Sequence, residues 1–212
     1  MNVTGGLPLR GKTWLAGNAA RTLTSGMADH LEGTTKVFDD VDPTLSTGAK
    51  TRRSNRQVTC MLVRNVSGTT LLPKRVVTWK AGYRGKQVDG YCTTDAQECA
   101  GVVDEFLPAG GVANNDLFWI VVKGPTLVLN GLAGDATNAI AAGDKLIALT
   151  AATSQSVTSG RVQAMALTST STGTTDGSHT KAIVNRFGVA MSAKTAAQID
   201  ADVLADTNFG FA

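Results

Sequence analysis

Apolar positions along this chain come in short runs closed by glycine, proline, asparagine or aspartate, and few of them hold a helical period. Val58-Thr-Cys-Met-Leu-Val-Arg64 runs into Asn65-Val-Ser-Gly68, and Leu71-Leu-Pro-Lys-Arg-Val-Val-Thr-Trp-Lys80 resumes the pattern. Runs of this length bounded by turn residues predict strands. Pro73 cannot donate to a ladder, so it belongs at a strand start or an edge. Ala100-Gly-Val-Val103 predicts a further short strand.

A turn-and-strand unit then recurs. Pro108-Ala-Gly-Gly-Val-Ala-Asn-Asn-Asp116 leads into Leu117-Phe-Trp-Ile-Val-Val122, and Ala139-Ile-Ala-Ala-Gly-Asp144 leads into Lys145-Leu-Ile-Ala-Leu149. A looser copy is Thr158-Ser-Gly160 before Arg161-Val-Gln-Ala-Met-Ala-Leu167. Glycine supplies a positive φ, aspartate or asparagine bonds to its own turn, and the apolar run enters the core. Lys123-Gly-Pro125 predicts a break between the Trp119 strand and Thr126–Leu129, and Ala182–Ala190 predicts the last core strand. The spacing is irregular, which excludes a fixed-period solenoid and predicts a mainly β fold, a compact β-barrel or β-sandwich.

Both ends read differently. Residues 1–56 carry apolar anchors, Trp14 and Phe38 among them, that follow no sustained period. They predict an extended N-terminal arm, docked on a partner or lying against its own domain. The β domain is expected over 57–190. In the C-terminal segment 191–212, Thr195-Ala-Ala-Gln198 is a capping-box pattern, and Ile199 and Val203 lie four apart, which predicts a short C-terminal helix and a tail.

Composition narrows the function classes. The chain has 212 residues, 42% hydrophobic and 17% charged, so global disorder is not expected. A formal net charge of +3 implies no nucleic acid partner by itself. No apolar run approaches the roughly 20 residues that span a bilayer, and no secretory signal is visible, so a soluble chain is expected. Cys60, Cys92 and Cys99 match neither zinc nor redox spacing, and Cys60 reads as a buried, inert thiol from a reducing cytosol.

Candidate chemistry is sparse. His30 and His179 have no second ligand at metal spacing, and Asp176-Gly-Ser-His179 reads as a loop, because neighbours in sequence do not make a triad. Gly6 to Thr13 ends in Gly-Lys-Thr and invites a phosphate-loop reading, but Pro8 lies inside it and no apolar strand precedes it. No catalytic, metal or cofactor site and no small-molecule substrate are expected, and the chain is not expected to be an enzyme. Lys50-Thr-Arg-Arg-Ser-Asn-Arg56 is the sharpest charge cluster. It suits an acidic protein surface, nucleic-acid phosphates or a solvated hinge; without interleaved aromatics, protein contact ranks above nucleic acid.

Taken in order, Ala100–Gly111, Leu117–Val122 with Lys123-Gly-Pro-Thr126, Ala139–Lys145 and Gly160–Ala166 resemble the capsid cement, or head decoration, proteins of tailed bacteriophages, over roughly residues 58–190. The resemblance implies a non-enzymatic β-rich virion protein made in the host bacterial cytoplasm. It would sit on the outer capsid surface, commonly as a homotrimer, and clamp neighbouring major capsid subunits. Trp14, Phe38, Arg52, Arg53 and Arg56 are then the expected capsid contacts. A nucleic-acid-binding protein using the basic cluster at 50–56 is the alternative.

Overall fold

The computed structural model describes residues 10–13, 31–42, 52–92, 97–131, 139–148, 160–165, 186–194 and 202–209. They build one ten-stranded sheet. The strands are β1 (Thr35–Val41), β2 (Arg52–Asn65), β3 (Val76–Trp79), β4 (Gln87–Tyr91), β5 (Cys99–Val103), β6 (Leu117–Leu129), β7 (Lys145–Ala148), β8 (Val162–Ala164), β9 (Gly188–Ala190) and β10 (Asp202–Asn208). The expected mainly β class is what the structure shows.

Their order is β1-β2-β4-β3-β5-β6-β10-β9-β7-β8, and β2 also pairs with β6. That extra pairing closes a ring through β2, β4, β3, β5 and β6. All its contacts are antiparallel except β2 with β4. The long strands β2 and β6 leave the ring to carry β1 on one side and β10, β9, β7 and β8 on the other.

The period of two sorts the apolar side chains into two cores. Met61, Val63, Val77, Val88, Phe118, Ile120 and Val122 gather on one face of the ring strands. Cys60, Leu62, Trp119 and Val121 point the other way and meet Val128, Leu146, Val162, Val203 and Ala205. This explains why Leu117–Val122 is apolar without alternation: both its faces are covered, and each residue from Phe118 to Val121 is 0% exposed. In β10 only one face is covered, so Val203, Ala205 and Thr207 are buried and alternate with Asp202, Leu204, Asp206 and Asn208.

The recurring unit is a local structure repeated at the strand entrances. Asn115 (φ 69°) and Gly143 (φ 96°) each occupy the third position of a turn closed by Asp116 N–H to Ala113 O (3.2 Å) and Asp144 N–H to Ala141 O (3.1 Å). With only that position at positive φ, these are type II turns. The Asp144 carboxylate accepts from Ala141 N–H at 2.8 Å, the side-chain closure the sequence suggests. Lys74, after Pro73, has φ 64° at the entrance to β3, so Pro73 sits just ahead of a strand as expected. Leu71 bridges to Val112, which fastens two of these entrances to each other.

Three expectations need correction. The C-terminal helix is not present where it can be tested: Asp202, Val203 and Leu204 begin β10, and 195–201 lie outside the described residues. Val203, Ala205 and Thr207 satisfy a period of two as well as the helical pair satisfies its own, and pairing of β10 with both β6 and β9 decides between them. β10, not Ala182–Ala190, is therefore the last strand. Lys123-Gly-Pro125 does not end a strand either. β6 runs on through it and exchanges β2 for β10 at Lys123, which pairs with both Thr59 and Asn208. Gly124 (φ 103°) permits the exchange, since a Cβ there would collide with the Gln57 carbonyl oxygen.

Candidate interaction surface

Of the residues expected to make contacts, Trp14 lies outside the described residues, and Arg52 is described only as the first residue of β2, opposite Val41. The others are placed. Among the described parts of segment 1–56, residues 35–41 and 52–56 are strand β1 and the start of β2, within the chain's own sheet. Phe38, on β1, meets Trp119 edge-on at 5.3 Å and 80°. Leu31 packs against the same core, and Glu32 pairs with Arg64.

Arg53 turns inward. A shift in the β1–β2 register between Asp39 and Val41 aims Asp40 into the protein, where it is 1% exposed. Arg53 donates Nε and Nη2 to Asp40 Oδ1 (3.1 and 2.7 Å) and Nη1 and Nη2 to Glu105 Oε2 and Oε1 (2.7 and 2.9 Å). Glu105 also accepts from Thr126 Oγ1 (3.3 Å), and Asp40 from Ser54 Oγ (2.8 Å). Burial lowers the Arg53 pKa, but the contacts with Glu105 and Asp40 outweigh it and hold the guanidinium above its ordinary value. This side chain cross-braces β1, β2 and the turn after β5.

The same network reaches the Gly-Lys-Thr segment. Arg10 donates Nε and Nη2 to Asp104 Oδ1 (3.1 and 3.0 Å), and Gly11 N–H donates to Asp104 Oδ2 (2.6 Å). Phe106 takes both guanidiniums near its ring, with Arg10 Cζ 4.6 Å and Arg53 Cζ 5.4 Å from the centroid. A backbone amide that a phosphate loop would turn toward its ligand is therefore held by a protein carboxylate. The segment serves as a docking clip.

Arg56 faces outward, on a groove of about 530 Å³. Strand register builds its floor. Val37 pairs with Thr59, Thr59 with Lys123 and Lys123 with Asn208, so one row crosses β1, β2, β6 and β10. Asp206 pairs with Val189 and Val189 with Lys145, which carries the surface over β9 to β7. Arg56, Lys123, Lys145 and Arg186 bring four positive charges to this lining, against the single carboxylate of Asp206. Arg56 Nη2 bonds Asp206 Oδ2 at 2.7 Å, whereas Lys123, Lys145 and Arg186 make no ion pair with a described residue.

Sequence reasoning found Arg56 and missed Lys123, Lys145 and Arg186, which are isolated cations in sequence. Their one legible signal is the exposed face of a strand, which Lys123 and Lys145 share. Cys60 is 0% exposed, and its buried surroundings push the thiol pKa far up, so the expected inert thiol is what is found. His30 and His179 lie outside the described residues, and among the described residues no group of three or more His, Cys, Asp or Glu could hold a metal ion. No described helix is long and apolar enough to cross a membrane. The chain matches no known family model and no curated protein sequence.

Proposed function

We propose that this chain is a virion structural protein that binds the outer surface of an assembled phage head and stabilises contacts between major capsid subunits, acting as a trimer. The observation that carries this reading is the basic groove, a surface spread over six strands, whose cations are presented to solvent rather than gathered around a reaction centre. In this reading the five-stranded ring is a small closed barrel, the platform that keeps the groove rigid. Three copies held together would bind neighbouring capsid subunits with an avidity that one copy lacks.

Co-sedimentation with heads assembled without this protein tests the proposal. The expected result is saturable capture on heads, raised mechanical or thermal resistance of the loaded particles, and a trimeric mass for the free protein. Capture by free duplex DNA and not by heads would favour the nucleic-acid reading instead. Against single-strand binding in particular stands Phe187, the groove's one aromatic, which is 3% exposed and stacked on Phe209 at 4.8 Å, leaving no ring for an unpaired base.

A further inference from the structure

We propose that the groove takes an extended, acidic segment of the protein it docks on, one that carries aliphatic side chains between its carboxylates. This rests on the head-binding reading for the identity of the partner, but the chemistry of the groove stands on its own. Lys123 on β6 stands opposite Asn208, Lys145 on β7 stands opposite Val189, and Arg186 sits just before β9, so the positive charge is spread over several strands and register rows. A single small anion would be served by converging cations. Cations set apart on separate strands suit a partner whose charges are also spaced along a chain.

The apolar positions beside the cations set the partner's class. Val37, on the groove lining, is 50% exposed, and Met191, whose sulfur is 3.8 Å from Arg56 Nη1, is 42% exposed. Met191 lies beside Arg56, and Val37 shares the groove lining with the cations. A nucleic acid strand would gain little from an aliphatic patch and would face the Asp206 carboxylate with its phosphates. A peptide alternating acidic and aliphatic residues can use both, placing carboxylates near Lys123, Lys145 and Arg186 and an aliphatic side chain over Val37. Asp206 then has a positive part: it holds Arg56 in place at the rim through the 2.7 Å contact.

Fluorescence anisotropy with a short labelled peptide of alternating Glu and Val, its Lys–Val counterpart and an oligothymidylate of matching length tests this. The full chain is expected to bind the Glu–Val peptide, to bind it more weakly as salt rises, and to ignore the Lys–Val peptide. Lys123→Glu with Lys145→Glu, both exposed and so tolerated by the fold, should weaken binding by at least about tenfold. Val37→Asp should weaken it as well, while leaving the melting temperature near that of the parent. Tighter binding of the oligothymidylate, or Glu–Val binding indifferent to the double variant, would overturn the proposal. Heads settle the remaining link. Undiminished capture of the double variant by heads overturns the groove as the head contact without touching head decoration itself. Peptide binding by a chain that no head captures upholds the groove and removes head decoration.

Discussion

Arg53 and Glu105 meet in a two-point contact, Nη1 to Oε2 at 2.7 Å and Nη2 to Oε1 at 2.9 Å, that ties the start of β2 to the turn after β5. The Glu105 side chain is 2% exposed and that of Arg53 27%. Such a pair adds little net stability when whole, but losing one partner strands the other's charge. Arg53→Met leaves Asp40 buried without its cation and Glu105 with only the longer contact to Arg10, Nη2 to Oε1 at 3.6 Å. It should lower unfolding stability by an amount near the lower end of about 3–5 kcal/mol, read by urea denaturation. Arg56→Ala, whose ion pair with Asp206 is solvent-exposed, should change it by less than about 1 kcal/mol. Equal losses from the two substitutions would contradict the division of this basic cluster into an inward and an outward member.

Asn65 joins the end of β2 to the turn that opens β6. Its Nδ2 lies 2.8, 3.0 and 3.1 Å from the carbonyls of Thr69, Val112 and Ala113, and its Oδ1 accepts from Ser67 N–H (3.0 Å) and Oγ (2.7 Å). The residue is 0% exposed. Asn65→Ala strips partners from these buried groups and should cost about 1–3 kcal/mol, with earlier hydrogen exchange at Ser67 as the local signature. Exchange unchanged at Ser67 would contradict this.

Gly124 is where β6 changes partners. Substitution by alanine adds a Cβ against the Gln57 carbonyl at a φ of 103°, which two independent penalties oppose. Gly124→Ala should lower the melting temperature more than Gly143→Ala, because Gly143 also has positive φ (96°) but opens onto free space. The reverse order in a thermal melt would sink the assignment of Gly124 as the crossing point.

Alkaline pH should weaken the fold. Burial raises the Tyr91 phenol above its ordinary range, opposed by the Leu72 N–H and Arg75, and burial likewise raises Cys60. For both groups the neutral form is favoured in the folded state. Their contribution is complete below the unfolded values, near 8.5 for cysteine and 10 for tyrosine, and is lost as pH rises from there through the folded values. Denaturation midpoints should therefore fall above about pH 8.5, and the phenolate absorbance of Tyr91 should appear late in a titration. A midpoint that rises through this range would be incompatible with the burial described.

Much of the architecture is written locally. Asn115 and Gly143 mark type II turns because positive φ is costly for most other residues, and the unbroken apolar run Leu117–Val122 announces a strand covered on both faces. The cluster at 50–56 likewise marks a charged place in the chain. Its members do not reveal their own directions. Arg53 and Arg56 are three residues apart, an odd spacing that alternation tends to send to opposite faces, and their partners complete the division: a shifted register brings Asp40 to one, while β10 brings Asp206 to the other.

By itself, then, the sequence determined that this is a mainly β chain, where the turns at the strand entrances fall, and which strand segments must be buried, since these depend on φ preference and side-chain alternation within a few residues. Only the tertiary structure decided that 202–208 is a strand, that β2 and β6 close a ring, and that Arg56, Lys123, Lys145 and Arg186 line one groove. The physical reason is pairing across long separations in sequence: a strand's pattern says which residues share a face, and its partners decide what that face will meet.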